Sequence, residues 1–483
     1  MRLSNIAKSI WQAGIDAVKS DQLLQQAVRF DANQLQVANE TISLKKLQHI
    51  QVLGCGKAGR GMAVGLTRAL ANLPPSISVD GFINVPADCA EPLAADFTSP
   101  EFTSTRCPEI AQAITLHPAR PAGINEPTEA GFHGTREILK RLQNQKPSGL
   151  TIFLVSGGGS ALLENTRPGI SLEDLLAVTR HLAQSGATIE ELNTVRTQLS
   201  EVKGGGLLAH ANQGQLVSLI VSDVISDPLH FIASGPCVPS SVTIQNVLTI
   251  WDRYADDLGE AALRIRSVLQ QPRHPQKATV RFSNHLIGSN SVASTAAVQE
   301  AQRQGFQVIL LGNENCGEAA DLGRRLAERL QQLRKMGRPE TGRGYCVIAG
   351  GETTVTMSPN GSLGKGGRNQ EVVLAALAAY PTMEAWNQIS FLSGGTDGED
   401  GPTDAAGAFV DETIVQAATD KKLPLHDFLA RHDSYPLFQA IGGLLKTGPT
   451  HTNVMDLAVG IVSIDSGFMK NQKRQSRSPA SGL

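Results

Sequence analysis

Residues 393–408, SGGTDGEDGPTDAAGA, place Asp397, Glu399, Asp400 and Asp404 among glycines, directly after the apolar run WNQISFL. Carboxylates this close repel one another, so either the loop is fully solvated or a cation sits in it. An EF-hand is excluded: counted from Asp397, glycines fall second and fifth and Pro402 sixth, where the calcium loop needs glycine. Mg²⁺ keeps most of its waters and takes one or two carboxylates plus substrate phosphates, a role that suits Asp397 and Asp400.

Other loops carry the opposite charge. In VLGCGKAGRGMA, Gly54, Gly56 and Gly59 form GxGxxG between a strand pattern and a helix pattern, with Lys57 inside the loop. Three readings stand: an anion site built from helix N–H groups and Lys57, a dinucleotide site, or a plain tight turn. The dinucleotide reading needs an acid at the end of the next strand. That strand, GFINVP, ends in Val85-Pro86, and Asp80 lies before it.

TIFLVSGGGSALL offers a flexible anion nest from Ser156 through Gly157, Gly158 and Gly159 to Ser160. Ser160 is not in a GxSxG frame because position 162 is Leu, so it is no nucleophile elbow. In ELNTVRTQLSEVKGGG, Arg196 and Lys203 lie seven apart, which predicts one cationic helix face or an ordinary solvated one. Asp223 closes the strand pattern LIVSD and suits metal binding, proton abstraction or turn capping. Glu352 follows YCVIAGG. GKGGRNQE brings Lys365 and Arg368 to a predicted helix start, as a loop able to clamp a phosphoryl group. No GxxxxGK[ST] occurs in the chain.

Short β-rich runs alternating with helical patterns position these loops, which indicates α/β architecture with largely parallel sheets. Several runs end in Gly, Ser or Asp, at the strand ends where open α/β sheets bind ligands. At 483 residues more than one domain is expected. A break falls after the Pro- and Ser-rich stretch 222–241, giving domains 1–240 and 241–465 and a disordered basic tail, 466–483. The net charge of −2 offers no field for nucleic acid or a membrane surface. No apolar run is long enough to span a bilayer. Cys55, Cys89, Cys107, Cys237, Cys316 and Cys346 show no metal spacing and read as reduced thiols of a cytoplasmic protein.

As an ordered set from about residue 50 to 460, the stretches GKAG, VSGGGSALL, LNTVRTQLSEVKGG, SDVISDP, IASGP, GSN, GGETTVT, GKGGRNQE, GTDGEDGPTDAAGA and TGPTHTNVMDL resemble the class II glycerate kinases, whose C-terminal half is the MOFRL domain. The resemblance implies two α/β domains, the first Rossmann-like with a mainly parallel sheet, and an active site in the cleft between them. It also implies phosphorylation of D-glycerate at the 2-hydroxyl with ATP and Mg²⁺, by a monomer or homodimer.

Carried over by motif, Lys57 and Arg368 are the cations at the phosphoryl group, and Asp223 and Asp397 the acids near metal or hydroxyl. Gly56, Ser156 to Ser160, Arg196, Lys203, Asn290 of GSN, Glu352 and Lys365 bind substrate or phosphate. Asp397 and Asp400 are the metal candidates. Two stretches depart from the family: TGPTHTN has His451 where Gly is usual, and HPARPAGINEP (117–127) matches loosely. The competing activity, NAD(P)H-dependent hydroxypyruvate reduction, is opposed by the missing ribose acid and by Lys57.

Overall fold

The computed structural model describes residues 2–464 except 32, 103–104, 256–258, 274–279 and 358–363. The tail expected at 466–483 lies outside the described residues. The chain forms two compact units: the larger is Lys19–Ser289 with His451–Asn453, the smaller Met1–Val18 with Asn290–Thr450 and the residues from Val454 on.

Near its start the larger unit has a small antiparallel sheet of β1 (Val28–Phe30), β2 (Gln34–Val37) and β3 (Glu40–Ser43). Its main sheet contains β4 (His49–Cys55), β5 (Ser78–Pro86), β6 (Ile114–Arg120), β7 (Gly149–Val155), β8 (Gln215–Val221) and β9 (Arg281–Gly288), in the order β6-β5-β4-β7-β8-β9. Every pairing is parallel. This is the doubly wound order, and the loops after β4 and β7 flank the point where strand order reverses. Strands β4 and β7 are buried almost throughout and mostly apolar, as a sheet covered on both faces requires.

A helical layer belongs to the same unit. Helices Leu172–Gln184 and Ile189–Leu199 both begin with capping boxes, Ser171 with Asp174 and Thr188 with Glu191. They pack with Ile244–Tyr254 and Gly259–Gln270 around Val178, Leu182, Val195, Val247, Trp251 and Leu269. The boundary expected at 240/241 therefore falls inside this unit. The hydrophilic-looking stretch after it buries one apolar face, and β9 completes the parallel sheet by pairing with β8.

The smaller unit holds β10 (Gln307–Leu310), β11 (Gly344–Gly351), β12 (Ile389–Gly395), β13 (Gly407–Val410), β14 (Leu444–Leu445) and β15 (Asp456–Ser463), ordered β10-β11-β15-β12-β13-β14. Here the expectation of parallel pairing fails: only β10 and β11 run parallel, because β15 inserts between β11 and β12 antiparallel to both. The N-terminal helix Leu3–Ala17 packs on this sheet rather than on the first. It buries Ile6, Ile10, Trp11 and Ile15 along one stripe, and each contributes roughly 2 kcal/mol. The Trp11 indole N–H donates to Gly394 O at 3.3 Å.

Candidate active site

In the larger unit the carboxyl ends of β4, β6, β7 and β8 supply Lys57, Arg120, Ser156–Gly159 and Asp223. The first loop is tied to the nest by backbone: Lys57 N–H donates to Gly157 O at 2.9 Å, and Ala58 N–H to Ser156 Oγ at 3.1 Å. Gly56, with φ +138°, lies so close that an added methyl would sit 2.0 Å from Ser156 Oγ. The nest's own glycines leave room on two sides. A methyl on Gly157 would meet Asp223 Oδ2 at 2.0 Å. One on Gly158, left-handed at φ +76°, would lie 3.2 Å from both Arg120 Nη2 and Lys57 Cγ.

The Lys57 side chain is exposed. Burial pushes the Asp223 carboxyl up from its ordinary value, and the charge of Lys57 partly offsets this. Ser160 Oγ is 2.9 Å from Ser234 Oγ. Ser234 and its neighbour Ala233 are non-glycine residues with φ of +60° and +51°. Backbone of this kind persists only where the surroundings impose it.

Two expected cations differ in role. Helix Ile189–Leu199 ends at Ser200, which is extended, so Lys203 does not share a face with Arg196. Lys203 is 1% exposed, with Nζ 3.2 Å from Glu164 Oε2 and donating to Ser160 O at 2.7 Å. It supports the nest from inside the fold instead of meeting a ligand. Burial lowers its pKa, and Glu164 opposes that. Arg196 is half-buried, its Nε without a hydrogen-bond partner among the described residues.

The GxGxxG glycines are explained by packing: a methyl on Gly54 would meet Leu154 O at 2.4 Å, and one on Gly59 would touch Val85 and Ile83. Asp80 lies near the amino end of β5, where it pairs with His49 at 2.8 Å and Arg141 at 3.1 Å. It is at the wrong end of the strand for a ribose.

The smaller unit gathers a second set at one sheet edge. Arg368 opens helix Arg368–Ala379, and its guanidinium is held by Asp456 and by Glu352, the latter at 2.8 Å. Burial opposes this charge, but the two carboxylates raise the arginine's pKa above normal. Asp456, paired across the sheet with both Gly351 and Gly395, also accepts from Asn369 Nδ2 at 2.9 Å. Sequence reasoning missed Asp456; its only signal was the close of the motif TNVMDL.

Asp397 follows β12 and accepts from Glu399 N–H at 3.1 Å. Asp400 is not placed as a metal ligand. It is 2% exposed, and its two oxygens accept from Asn369 N–H at 3.0 Å and Gln370 N–H at 2.8 Å, capping the helix that carries Arg368. Burial pushes its carboxyl up to about 7 against these N–H donors. No group of three His, Cys, Asp or Glu able to hold a metal is found among the described residues.

Asn290 is buried and spends its amide on Val454 O and Asp456 O, at 2.8 and 2.9 Å, fixing the approach to β15 rather than facing a ligand. Lys365 Nζ stands 4.4 Å over the Tyr435 ring. His451 has φ +59°, which accounts for the glycine usual there.

Residues 6–270 match the family described as Domain of unknown function (DUF4147), and 345–456 match the MOFRL family. Human glycerate kinase is 33% identical, over 94% of this chain and 92% of the relative. The chain belongs to the class II glycerate kinase (MOFRL) family. A glycerate 2-kinase of Pyrococcus horikoshii is 38% identical over 72% of this chain and 78% of that protein. The solved structure of a Thermotoga maritima glycerate kinase, 30% identical, aligns with a TM-score of 0.76 over 95% of this chain and 99% of its own. No described helix of this family member is long and apolar enough to cross a membrane.

Proposed function

We propose that this chain is a cytoplasmic glycerate 2-kinase, transferring the γ-phosphoryl group of ATP to the 2-hydroxyl of D-glycerate to give 2-phosphoglycerate and ADP. The observation that carries this reading is the placement of exposed Lys57 and half-buried Asp223 around one glycine nest, at the switch point of a parallel sheet. Asp223, ionised, takes the proton of the 2-hydroxyl. The freed oxygen forms the new bond to phosphorus, and the bond to the bridging oxygen breaks, leaving that oxygen on ADP. Lys57 neutralises charge on the transferring group.

A Mg²⁺ ion bound with the nucleotide would supply further neutralisation. Asp397 is the carboxylate that fits it, since Asp400 has both oxygens committed to backbone. The names of the relatives support the kinase reading. Reduction with a nicotinamide cofactor is disfavoured by Pro86 at the end of β5 and by the engagement of Asp80.

The test is incubation with ATP, Mg²⁺ and D-glycerate coupled to enolase, with and without phosphoglycerate mutase. Phosphoenolpyruvate from enolase alone is expected. A signal only with mutase would move the acceptor to the 3-hydroxyl. Silence in both, with NADH consumed on adding hydroxypyruvate, would overturn the kinase assignment.

A further inference from the structure

Arg120 closes β6 and is only 3% exposed. Its Nε is buried with no hydrogen-bond partner among the described residues. Asp88 reaches it through charge alone, and burial lowers its pKa. Buried guanidinium groups are ordinarily paired, because an uncompensated charge removed from water is costly. Arg120 is instead aimed at the nest, with Nη2 3.2 Å from where a Gly158 methyl would stand. The missing partner is therefore an anion that comes and goes.

We infer that Arg120 receives the carboxylate of the acceptor substrate over Gly158, and so selects 2-hydroxy acids over uncharged polyols. This rests on the glycerate kinase reading of the same site. Three observations favour carboxylate over phosphoryl as the anion. The planar fork of arginine matches a carboxylate in two-point fashion, whereas a lysine acts as a compact point charge. Lys57 already stands over the nest on its solvent side as that point charge. On the adjoining glycine the group presented is Asp223 Oδ2.

Successive glycines, with Cα atoms about 3.8 Å apart, thus present a guanidinium and then a base. A 2-hydroxy acid carries its carboxylate and its reacting hydroxyl on successive carbons in the same order. Anchoring the carboxylate at Arg120 brings the 2-hydroxyl to Asp223 and leaves the 3-hydroxyl one carbon beyond.

The experiment compares the wild-type chain with Arg120→Met and Arg120→Lys, using D-glycerate and its uncharged amide, D-glyceramide, as acceptors. Expected for Arg120→Met is a KM for D-glycerate raised by roughly 100-fold, the loss of a charge-assisted two-point contact. The KM for ATP should be unchanged, and the preference for glycerate over glyceramide should collapse. Arg120→Lys, which keeps charge but not the fork, should fall between. Without substrate, the melting temperature of Arg120→Met should equal or exceed the wild type, because an unpaired buried charge has been removed.

A lower melting temperature or failure to fold would make Arg120 structural and overturn the inference. So would a raised KM for ATP with that for glycerate intact. A wild-type chain that phosphorylates D-glycerate, with an Arg120→Met variant of unaltered acceptor preference, removes the inference and leaves the kinase reading standing. A wild-type chain inactive on D-glycerate removes both.

Discussion

Arg368 is gripped by Asp456 at two points, Nε to Oδ2 at 2.6 Å and Nη2 to Oδ1 at 3.0 Å, which fixes the plane of the guanidinium. Asp456 therefore acts as a positioning residue: it sets where the arginine's remaining donors point. Small displacements of such a group cost on the order of 100-fold in rate. Asp456→Ala should lower kcat by about that factor with both KM values nearly unchanged, and Arg368→Ala should abolish turnover. A steady-state assay over both substrates checks this. Full kcat in Asp456→Ala would show that the two-point grip is irrelevant to turnover.

Lys57 presents the opposite case, a cation whose side chain is exposed. Removing it should leave stability within about 0.5 kcal/mol, as for most surface positions. Activity should fall by roughly 10²–10³-fold, the usual consequence of deleting a charge-stabilising donor at a reacting group. Lys57→Ala is thus expected to melt like the wild type while losing kcat. Near-normal turnover would remove Lys57 from the chemistry.

For Lys203 the prediction reverses. The Lys203–Glu164 pair is almost fully buried, so Lys203→Met leaves an uncompensated carboxylate and should destabilise the fold by about 3–5 kcal/mol. Adding Glu164→Gln should recover much of that loss, because the stranded charge is gone. Urea titrations of the single and double variants separate this from a ligand-binding role. Unchanged stability with weakened substrate affinity would restore Lys203 to the binding site.

The residues that could be read from the sequence are those whose signal is local. Gly56, Lys57 and the Ser156–Ser160 nest follow a strand pattern and precede a helix pattern, and that spacing alone places them at a sheet edge. What escaped is non-local. Lys203 reads as a surface cation until Ser200 breaks the helix and turns the chain inward. Asp400 caps a helix that begins some thirty residues earlier in the chain. Asp456 opens an antiparallel strand inserted between two others, a pairing that no period of hydrophobicity encodes. Arg120 lies in the loosely matching stretch 117–127, where no motif singles it out; its burial without a hydrogen-bond partner among the described residues marks it.

Asp400 gives a pH test of burial against metal binding. Its folded value of about 7 lies above the ordinary carboxylate value, so between the two the folded state keeps a proton that the unfolded chain releases. The sign follows from linkage: this group's contribution favours folding at low pH and is lost as pH rises through about 7. Asp400→Asn does not titrate. The stability of wild type relative to Asp400→Asn should therefore grow as pH is lowered from about 8 to 5. A pH-independent difference would show that burial does not raise this carboxyl, and one that appears only when Mg²⁺ is added would restore Asp400 as a metal ligand.

Asp223 carries the second pH prediction, in turnover rather than stability. As the base it must be ionised, and burial raises its pKa while the Lys57 charge holds it down. The acid limb of kcat/KM should accordingly lie above the ordinary carboxylate range. In Lys57→Ala the restraining charge is gone, so the limb of the residual activity should move to still higher pH. Asp223→Asn should lose the limb together with most of the rate. An acid limb that stays in place in Lys57→Ala would mean that the two groups do not share a field, and an unaltered profile in Asp223→Asn would assign the base elsewhere.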